Sequence, residues 1–496
     1  MKPPLLLASA YLLLLVAWAM SHPPGAAPDE YGHYLRAVAA GRGEFLPEQR
    51  PGPPTDLERS QVALNWQRSQ TRLISIQGRF SPDNFDCIRA NPNPSWRCTD
   101  PPPPPDETVA VKSVQGTYPP YPYVIPGLFT RLGHDAVSAL LWGRVVASLT
   151  AWALLALASW MLWDPNRSWI SLLGLIVAVT PMVIFVGSSL SGSGLETAAG
   201  IAFFACLVRL TRPGTTASRI VWIATGLSGA VLVISRDLGI AWLLLSLSVA
   251  LGLSCLKRLR AVMASGGRVA WVAIGVIGVA VVEAAIWQAA VQVHPPLSLS
   301  RVAANVPAAF GITREILRQQ VGVFGWLDTV MPSEAYWIWG AMFLALLALA
   351  FLAGSWRQRA VLAASTLGAV MLPVGVELVQ REVGFGAQGR HVLPMTVVVP
   401  LLAGEILTRN AHRLGWLRQL FPAVWFTAAA GVVYVVAWYI NGKRHMVGPG
   451  GPDWFWEATT SSPPLGWVTW GLVSIAGAIM ISGSGLRAAL FHGYER

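Results

Sequence analysis

The sequence contains few charged residues: Asp, Glu, Lys and Arg make up only 12% of its 496 positions, about half the share in a soluble domain. It has no long Lys/Arg run, so its formal net charge of +11 does not indicate a nucleic-acid partner. No CxxC or HExxH pattern occurs, which argues against a metal site of ordinary spacing. No internal repeat is evident either.

Cysteine is also scarce, with four residues in the whole chain. Cys206 and Cys255 lie in apolar segments and are most simply small packing residues. Cys87 and Cys98 lie in the first long polar loop. An extracytoplasmic position of that loop would allow a disulfide between them, and both the bonded and the free state remain open.

Long apolar runs are abundant, and 54% of the residues are hydrophobic. Runs near twenty residues recur to the C-terminus, which predicts an all-α polytopic membrane protein with about twelve transmembrane helices. The first run covers residues 1–20; a signal peptide cleaved near Ala17-Trp18-Ala19 is the alternative. The others lie near 136–163, 168–190, 194–211, 218–235, 237–256, 269–293, 335–355, 359–380, 392–408, 420–440 and 464–486.

Short basic clusters between these runs predict the topology. They fall on alternate connections, for example Arg212 with Arg219 and Arg409 with Arg413. Placing them in the cytoplasm puts both termini inside and makes residues 21–135 a large extracytoplasmic loop. The remaining chain, 136–496, is then a helical bundle with outer loops near 294–334, 381–391 and 441–463. Within the large loop, Leu57–Gln77 is predicted to hold an amphipathic helix at the membrane surface.

A compact acid–base motif follows the first apolar run, in the sequence PDEYGHYLR of residues 28–36. If a helix restarts after the proline, Asp29, His33 and Arg36 fall at i, i+4 and i+7 and share a face, with Glu30 beside them. Asp29 and Glu30 are candidate catalytic bases. Two adjacent carboxylates are a weak signal for a divalent cation. The alternative is an ordinary acidic helix start with a neighbouring histidine.

A second motif, GFGAQGRHVLP, spans residues 384–394. Its glycines allow close approach of a ligand to the backbone, and Gln388, Arg390 and His391 lie at the electropositive start of the tenth apolar helix. This arrangement is typical of a phosphate site. An arginine that merely anchors the helix at the interface is the alternative.

Other charged residues interrupt or border apolar runs. Arg236-Asp237 predicts either a self-paired turn or part of the site. Arg381 follows Glu377 by one helical turn, so an intrahelical pair is the simplest interpretation. Arg144 is expected to snorkel or to contact an anionic lipid headgroup. The segment FGWLD, ending at Asp328, fits a sugar or lipid contact as well as an interfacial aromatic belt.

Three motifs together carry a family resemblance: PDEYGHYLRA, GWLD and GAQGRHVLP, in this order along most of the chain. The chain resembles the membrane proteins catalogued as domain of unknown function 2142. That family is similar to the GT-C glycosyltransferases, which take a sugar from a polyprenyl-phosphate carrier and transfer it outside the cytoplasmic membrane. His391 stands where a tyrosine is commoner in this motif.

The resemblance implies an inverting transfer to an envelope glycan or lipid acceptor in a bacterial cytoplasmic membrane, with the active site extracytoplasmic. By that likeness Asp29 matches the acidic residue of the first outer loop, and Arg390 matches a ligand of the carrier phosphate. Arg36, Arg236 and Arg381 are further candidates for substrate contacts. A transporter of lipid-linked saccharides and a non-catalytic partner in polysaccharide assembly are the alternative functions.

Overall fold

The chain folds chiefly into helices in a computed structural model, which describes residues 2–49, 66, 69–82, 85, 104–213, 218–291, 299–382, 385–413, 420–448, 450–457 and 462–491. Its first helices are α1 Pro3–Ser21, α2 Glu30–Gly41, α3 Tyr121–Thr130, α4 Ala136–Leu162, α5 Ile170–Ala178, α6 Pro181–Gly187, α7 Gly192–Thr211, α8 Arg219–Ser235 and α9 Gly239–Gly252. They are followed by α10 Leu256–Val291, α11 Leu299–Gly322, α12 Ser333–Ala353, α13 Trp356–Glu382, α14 Gly389–Thr396, α15 Val398–Arg409, α16 Leu420–Val447 and α17 Gly466–Phe491.

Nine helices in the described ranges are long and apolar enough to cross a membrane, counting α14 and α15 as one. The pair α5 and α6, bent by 65°, would be a tenth, and α8 and α9 are shorter apolar helices. The predicted class of polytopic helical membrane protein is therefore confirmed, and the predicted number of about twelve helices is close. The helix α10 bends at Gly267, whose φ is +53°. The apolar run predicted near 269–293 corresponds to the part of α10 that follows this bend.

Two small antiparallel sheets lie outside these helices. One joins β1 Glu48–Gln49, β2 Arg72–Gln77 and β3 Thr108–Ser113, with Ile74 paired to Val111; the other is the hairpin of β4 Val323–Phe324 and β5 Thr329–Val330. The predicted helix over Leu57–Gln77 is wrong at its end, because Arg72–Gln77 is a strand with alternating burial. Residues 57–65 are outside the described chain.

The large loop is anchored by a small core of its own. Side chains of α2, the first sheet and α3 pack against the start of α4, including Leu35, Ile74, Val111, Tyr123 and Leu140. A further difference from the expected loops is α11, which occupies most of residues 294–334. This helix is polar on one side and apolar on the other. Its sequence is too polar overall to be predicted as a transmembrane helix.

The centre of the bundle is formed by α7 and by α14 with α15, which are almost entirely buried, whereas α10, α12 and α13 expose much of their apolar surface. Small residues permit close helix crossings there. A Cβ on Gly174 of α5 would lie 2.6 Å from the Pro400 carbonyl oxygen, and one on Gly404 would lie 2.6 Å from the Cα of Gly174.

The end of the bundle opposite the first loop contains a buried ion network. Glu405 accepts from Arg212 Nε at 3.1 Å and from Arg409 Nε at 2.8 Å. Arg212 also donates to the Leu162 carbonyl at 3.2 Å, so α4, α7 and α15 are joined at this end. These bonds hold the C-terminal ends of α4, α7 and α15 together.

Candidate functional site

Asp29 ends the connection between α1 and α2. It precedes Glu30, the first residue of α2, and its carbonyl accepts the His33 N–H at 3.1 Å. Its φ of +63° lies in the left-handed region, which is uncommon for a residue other than glycine. Such a conformation persists where the surroundings impose it, and it is frequent at functional sites.

Glu30 and Arg144 hold this connection in place. Arg144 Nε donates to Glu30 Oε1 at 2.7 Å, Nη2 binds Glu30 Oε2, and Nη2 also donates to the Pro23 carbonyl at 2.8 Å. Glu30 accepts the Gly25 N–H at 3.1 Å as well. Both side chains of the ion pair are fully buried. The expectation that Arg144 snorkels or meets a lipid headgroup is therefore wrong, because an internal carboxylate compensates its charge.

Arg390 lies 361 residues after Asp29 in the sequence and contacts it. It is the second residue of α14, and its Nη2 donates to Asp29 Oδ2 at 2.6 Å, while Nη1 donates to the Pro28 carbonyl at 3.1 Å. The Nε atom of Arg390 is buried without a partner. Burial raises the pKa of Asp29, but the neighbouring charges, of which Arg390 is the strongest, and the hydrogen bond from Arg390 together hold the pKa below its usual value.

The segment that carries Arg390 is held by α11 and α13. Gly389 N–H donates to Gln319 Oε1 at 2.8 Å, and a Cβ on Gly389 would lie only 2.6 Å from the Gln319 Cβ, so this contact requires glycine. Glu377 accepts the Ala387 N–H. It also pairs with Arg381, which confirms the predicted intrahelical pair. Arg381 thus helps to fix the segment before Arg390.

Two other predicted residues of this motif lie nearby. Gln380 Nε2 contacts His391 Nδ1 at 2.9 Å, so the His391 ring is tied to α13. Gln388 precedes α14, and its Oε1 atom is buried without a partner. The Phe385 ring packs edge-on against Trp66 with centroids 5.4 Å apart, which brings the first loop over this segment.

Arg236 and His33 complete the surroundings of Asp29. Arg236 donates to Ser193 Oγ at 2.7 Å, lies 3.9 Å from Glu196 and has its guanidinium over the Tyr118 ring. Its charge, like that of Arg390, contributes to the lowered pKa of Asp29.

The His33 ring joins this group through α3. His33 Nδ1 lies 2.8 Å from the Tyr123 hydroxyl oxygen. Burial, together with the charges of Arg390 and Arg236, lowers the pKa of His33 to about 3, so the ring is neutral near pH 7.

Two predicted site residues lie elsewhere. Arg36 turns away from Asp29 and donates to the carbonyls of Tyr118 at 2.9 Å and Phe45 at 2.7 Å. Asp328, at the β4–β5 turn, pairs with Arg444 of α16 at 2.6 Å. The helical spacing that suggested a shared face for Asp29 and Arg36 fails because Asp29 itself is outside the helix.

The adjacent carboxylates do not form a common cation site. Asp29 faces Arg390, whereas Glu30 faces Arg144. Across the described part of the chain, no group of three or more His, Cys, Asp or Glu residues could hold a metal ion. The carboxyl pair therefore does not fit a divalent cation. Cys87 and Cys98, whose bonded and free states the sequence leaves open, lie outside the described residues.

An apolar cavity of about 280 Å³ lies beside α14. Leu393 and Thr396 of α14 face it, one and two turns after Arg390. The opposite walls come from α11, α12 and α13, including Gln320, Gly340 and Val370. α5 and α15 complete the lining, so six helices form this cavity.

Comparison with known proteins gives one family match. The model of a family described as "Predicted membrane protein (DUF2142)" matches residues 12–399. No curated protein matches the chain. Among solved structures, the crystal structure of ArnT from Cupriavidus metallidurans in the apo state is similar with a TM-score of 0.41 and 13% identity, covering 98% of this chain and 76% of that chain.

Proposed function

The chain belongs to the DUF2142 family of membrane proteins, and from this premise we propose that it transfers a sugar from a polyprenyl-phosphate carrier to a glycan or lipid acceptor. The observation that carries the proposal is the 2.6 Å ion pair between Asp29 and Arg390. It joins a candidate base and a candidate phosphate ligand from motifs 361 residues apart in sequence. The reaction would take place on the extracytoplasmic side of a bacterial cytoplasmic membrane.

Arg390 is suited to bind the carrier phosphate. A guanidinium offers several N–H donors to phosphate oxygens, and the Nε donor of Arg390 has no partner within the protein. The start of α14 adds the positive end of a helix dipole to the same place. Arg236 supplies a second positive charge close to Asp29. Phosphate oxygens would replace Asp29 as the partner of Arg390.

This replacement gives Asp29 its role. Without Arg390 as its direct partner, the carboxylate becomes more basic and accepts the proton of an acceptor hydroxyl. The hydroxyl oxygen attacks the anomeric carbon, and the bond from that carbon to the phosphate oxygen breaks. The electron pair of this bond leaves with the phosphate, whose charge Arg390 stabilises. One displacement inverts the configuration of the anomeric carbon, and no covalent enzyme intermediate is needed.

The cavity beside α14 supports a lipid-borne donor. Its walls are largely apolar, and Leu393 and Thr396 connect it with the helix that presents Arg390. A prenyl chain placed there would have its phosphate near the start of α14. Glu30 is less suited to be the base, because its buried carboxylate is already bound to Arg144 and to the Gly25 N–H.

The test is sugar transfer in membranes that contain the intact chain or its variants. Radiolabelled polyprenyl-phosphate sugars serve as donors and envelope glycans as acceptors. We expect Asp29→Asn to lower the rate by about 10²–10⁴-fold, the usual contribution of a general base, and Arg390→Ala to weaken donor binding. Asp106→Asn, at an exposed position of the same loop, is the matched control. Full activity of Asp29→Asn at equal expression would refute the assignment of the base.

A transporter of lipid-linked saccharides is the competing function. It predicts polar residues along a path through the membrane. Asp29 and Arg390 instead meet at helix ends, and Arg236 is close enough to affect the pKa of Asp29. Glu377 binds the Ala387 N–H, three residues before Arg390. Movement of a lipid-linked saccharide across the membrane of vesicles that contain the chain, without any sugar transfer, would favour the transporter.

A further inference from the structure

A second group of buried polar side chains lies between the C-terminal ends of α1 and α16. We call Trp18, His22, Asn441 and His445 the histidine cluster. Asn441 Nδ2 lies 3.1 Å from His22 Nδ1, and the rings of His22 and His445 are edge-to-face with centroids 5.4 Å apart. Each of the four side chains is at most 3% exposed. The proposed transfer mechanism uses none of them.

Five polar atoms of this cluster have no partner within the protein: Trp18 Nε1, His22 Nε2, Asn441 Oδ1 and both ring nitrogens of His445. Buried polar atoms are nearly always hydrogen-bonded, so five without a partner in one place indicate a ligand. The atoms include both donors and acceptors: the indole donates, the amide oxygen accepts, and a neutral imidazole does both. A hydroxyl group has the same dual capacity and is a suitable partner for such a set.

The surrounding charges exclude an ionic ligand. Arg144 is paired with Glu30, and Arg444, next to His445, is paired with Asp328. A metal cation or an anion would therefore enter a buried region without a compensating charge, which is costly. Burial and the nearby charge of Arg144 lower the pKa of His22, so this ring adds no charge to the cluster near pH 7. The ligand should then be uncharged.

Aromatic rings form one side of the cluster. The Trp18 and Phe324 rings have centroids 5.0 Å apart, and the Phe185 ring lies edge-to-face to His22 at 5.1 Å. Sugars combine hydroxyl groups with apolar C–H faces that pack on aromatic rings. A simple alcohol has too few hydroxyl groups to form hydrogen bonds with all five unpartnered atoms.

We propose that the histidine cluster binds the hydroxyl groups of a neutral sugar ring. The inference deepens the proposed transfer and rests on it for the source of the sugar. The cluster is close to the connection between α1 and α2, which ends at Asp29. Arg144 binds the carbonyls of His22 and Pro23 as well as the carboxylate of Glu30. The Asp328 carboxylate, which is 39% exposed and pairs with Arg444 beside His445, marks the side from which the ligand would enter.

Binding can be tested without transfer, by thermal unfolding of the purified full chain in detergent with methyl glycosides of glucose, galactose and mannose. We expect at least one glycoside to raise the Tm of the intact chain. His445→Phe and Asn441→Leu should each weaken its binding at least tenfold while keeping the Tm without sugar equal or higher. His134→Phe, at a side chain that is 85% exposed, should bind as the intact chain does. The proposal would be overturned if no glycoside raised the Tm of the intact chain. It would also be overturned if the glycoside raised the Tm of both cluster variants as much as it raises that of the intact chain.

Transfer kinetics then identify the source of the sugar. A tenfold higher KM for the acceptor with an unchanged donor KM in His445→Phe assigns the site to the acceptor glycan, and the reverse assigns it to the donor sugar. Unchanged values for both, in a chain that transfers sugar, contradict the inference and leave the proposed function intact. Glycoside binding that depends on His445 in a chain without transfer would retain the site and refute the enzyme.

Discussion

Asp29 and Glu30 are neighbours in the chain, but their carboxylates face different arginines. Glu30 is fully buried against Arg144, whereas the Asp29 side chain is 35% exposed and meets Arg390. One carboxylate therefore serves as a fixed structural anion. The other is partly exposed, as its proposed role as a base would require.

The lowered pKa of Asp29 predicts the pH dependence of transfer. Because Arg390 lowers this pKa, Arg390→Gln should raise it, and the carboxylate is then protonated at a higher pH. The acid limb of kcat/KM for the donor, which reports the free enzyme with its Asp29–Arg390 contact, should move to higher pH in Arg390→Gln and stay in place in Arg390→Lys, which keeps the charge. An acid limb at the same pH in both variants would contradict electrostatic control by Arg390.

The buried pair of Glu30 and Arg144 predicts a large loss of stability when one partner is neutralised. Glu30→Gln leaves the Arg144 charge uncompensated, and we expect the free energy of unfolding to fall by about 3–5 kcal/mol. The measurement is denaturant unfolding in detergent micelles. Asp453→Asn, which removes the partner of Lys443 from a pair with an 80% exposed carboxylate, should cause no measurable change. Equal losses in the two variants would show that burial is not the cause.

At the scale of helices, the site depends on how several elements meet at α14. α11 contributes Gln319, α13 contributes Glu377, and the connection after α1 contributes Asp29. α11, α13 and α14 also line the cavity, together with α5, α12 and α15. A change in the wall of the cavity should therefore affect the lipid donor without disturbing the base.

Two glycines offer a matched test of the cavity. Gly340 of α12 lines it, whereas Gly368 of α13 is exposed, and at each an added Cβ would meet nothing within 4 Å. Leucine at either site should improve helix propensity by about 0.8–1 kcal/mol. Gly340→Leu should raise the KM for a long-chain donor roughly tenfold, equivalent to about 1.4 kcal/mol, and Gly368→Leu should not. Donor kinetics with equal KM in both variants would exclude the cavity as the prenyl site.

At the scale of the whole molecule, the distribution of basic residues predicts the orientation in the membrane. Single cysteines replacing Asp106, in the first loop, and Asn166, between α4 and α5, can be labelled in a cysteine-free chain on intact cells. A membrane-impermeant maleimide should react at position 106 and not at position 166, because basic connections remain in the cytoplasm. Labelling of position 166 alone would reverse the topology.

Sequence reasoning was most reliable where a property is carried by a long stretch of chain. The apolar runs near 136–163 and 335–355 correspond to α4 and α12, because a span needs about twenty apolar residues wherever it packs. It was least reliable where a few residues depend on distant contacts. Arg72–Gln77 forms a strand through its pairing with β3, and nothing local indicates that partner.

The candidate site also has features that the sequence predicted and features that it did not. The motifs around Asp29 and Arg390 were visible in the sequence because their residue types and helix-start positions suit an acid and a phosphate ligand. That these two side chains touch, that Glu30 pairs with Arg144, and that Arg36 turns away were not visible. The sequence by itself determined the class of the protein and the chemistry of its motifs, since hydropathy and side-chain type are local. Only the tertiary structure decided which charges are paired, because pairing depends on how helices distant in the chain pack together.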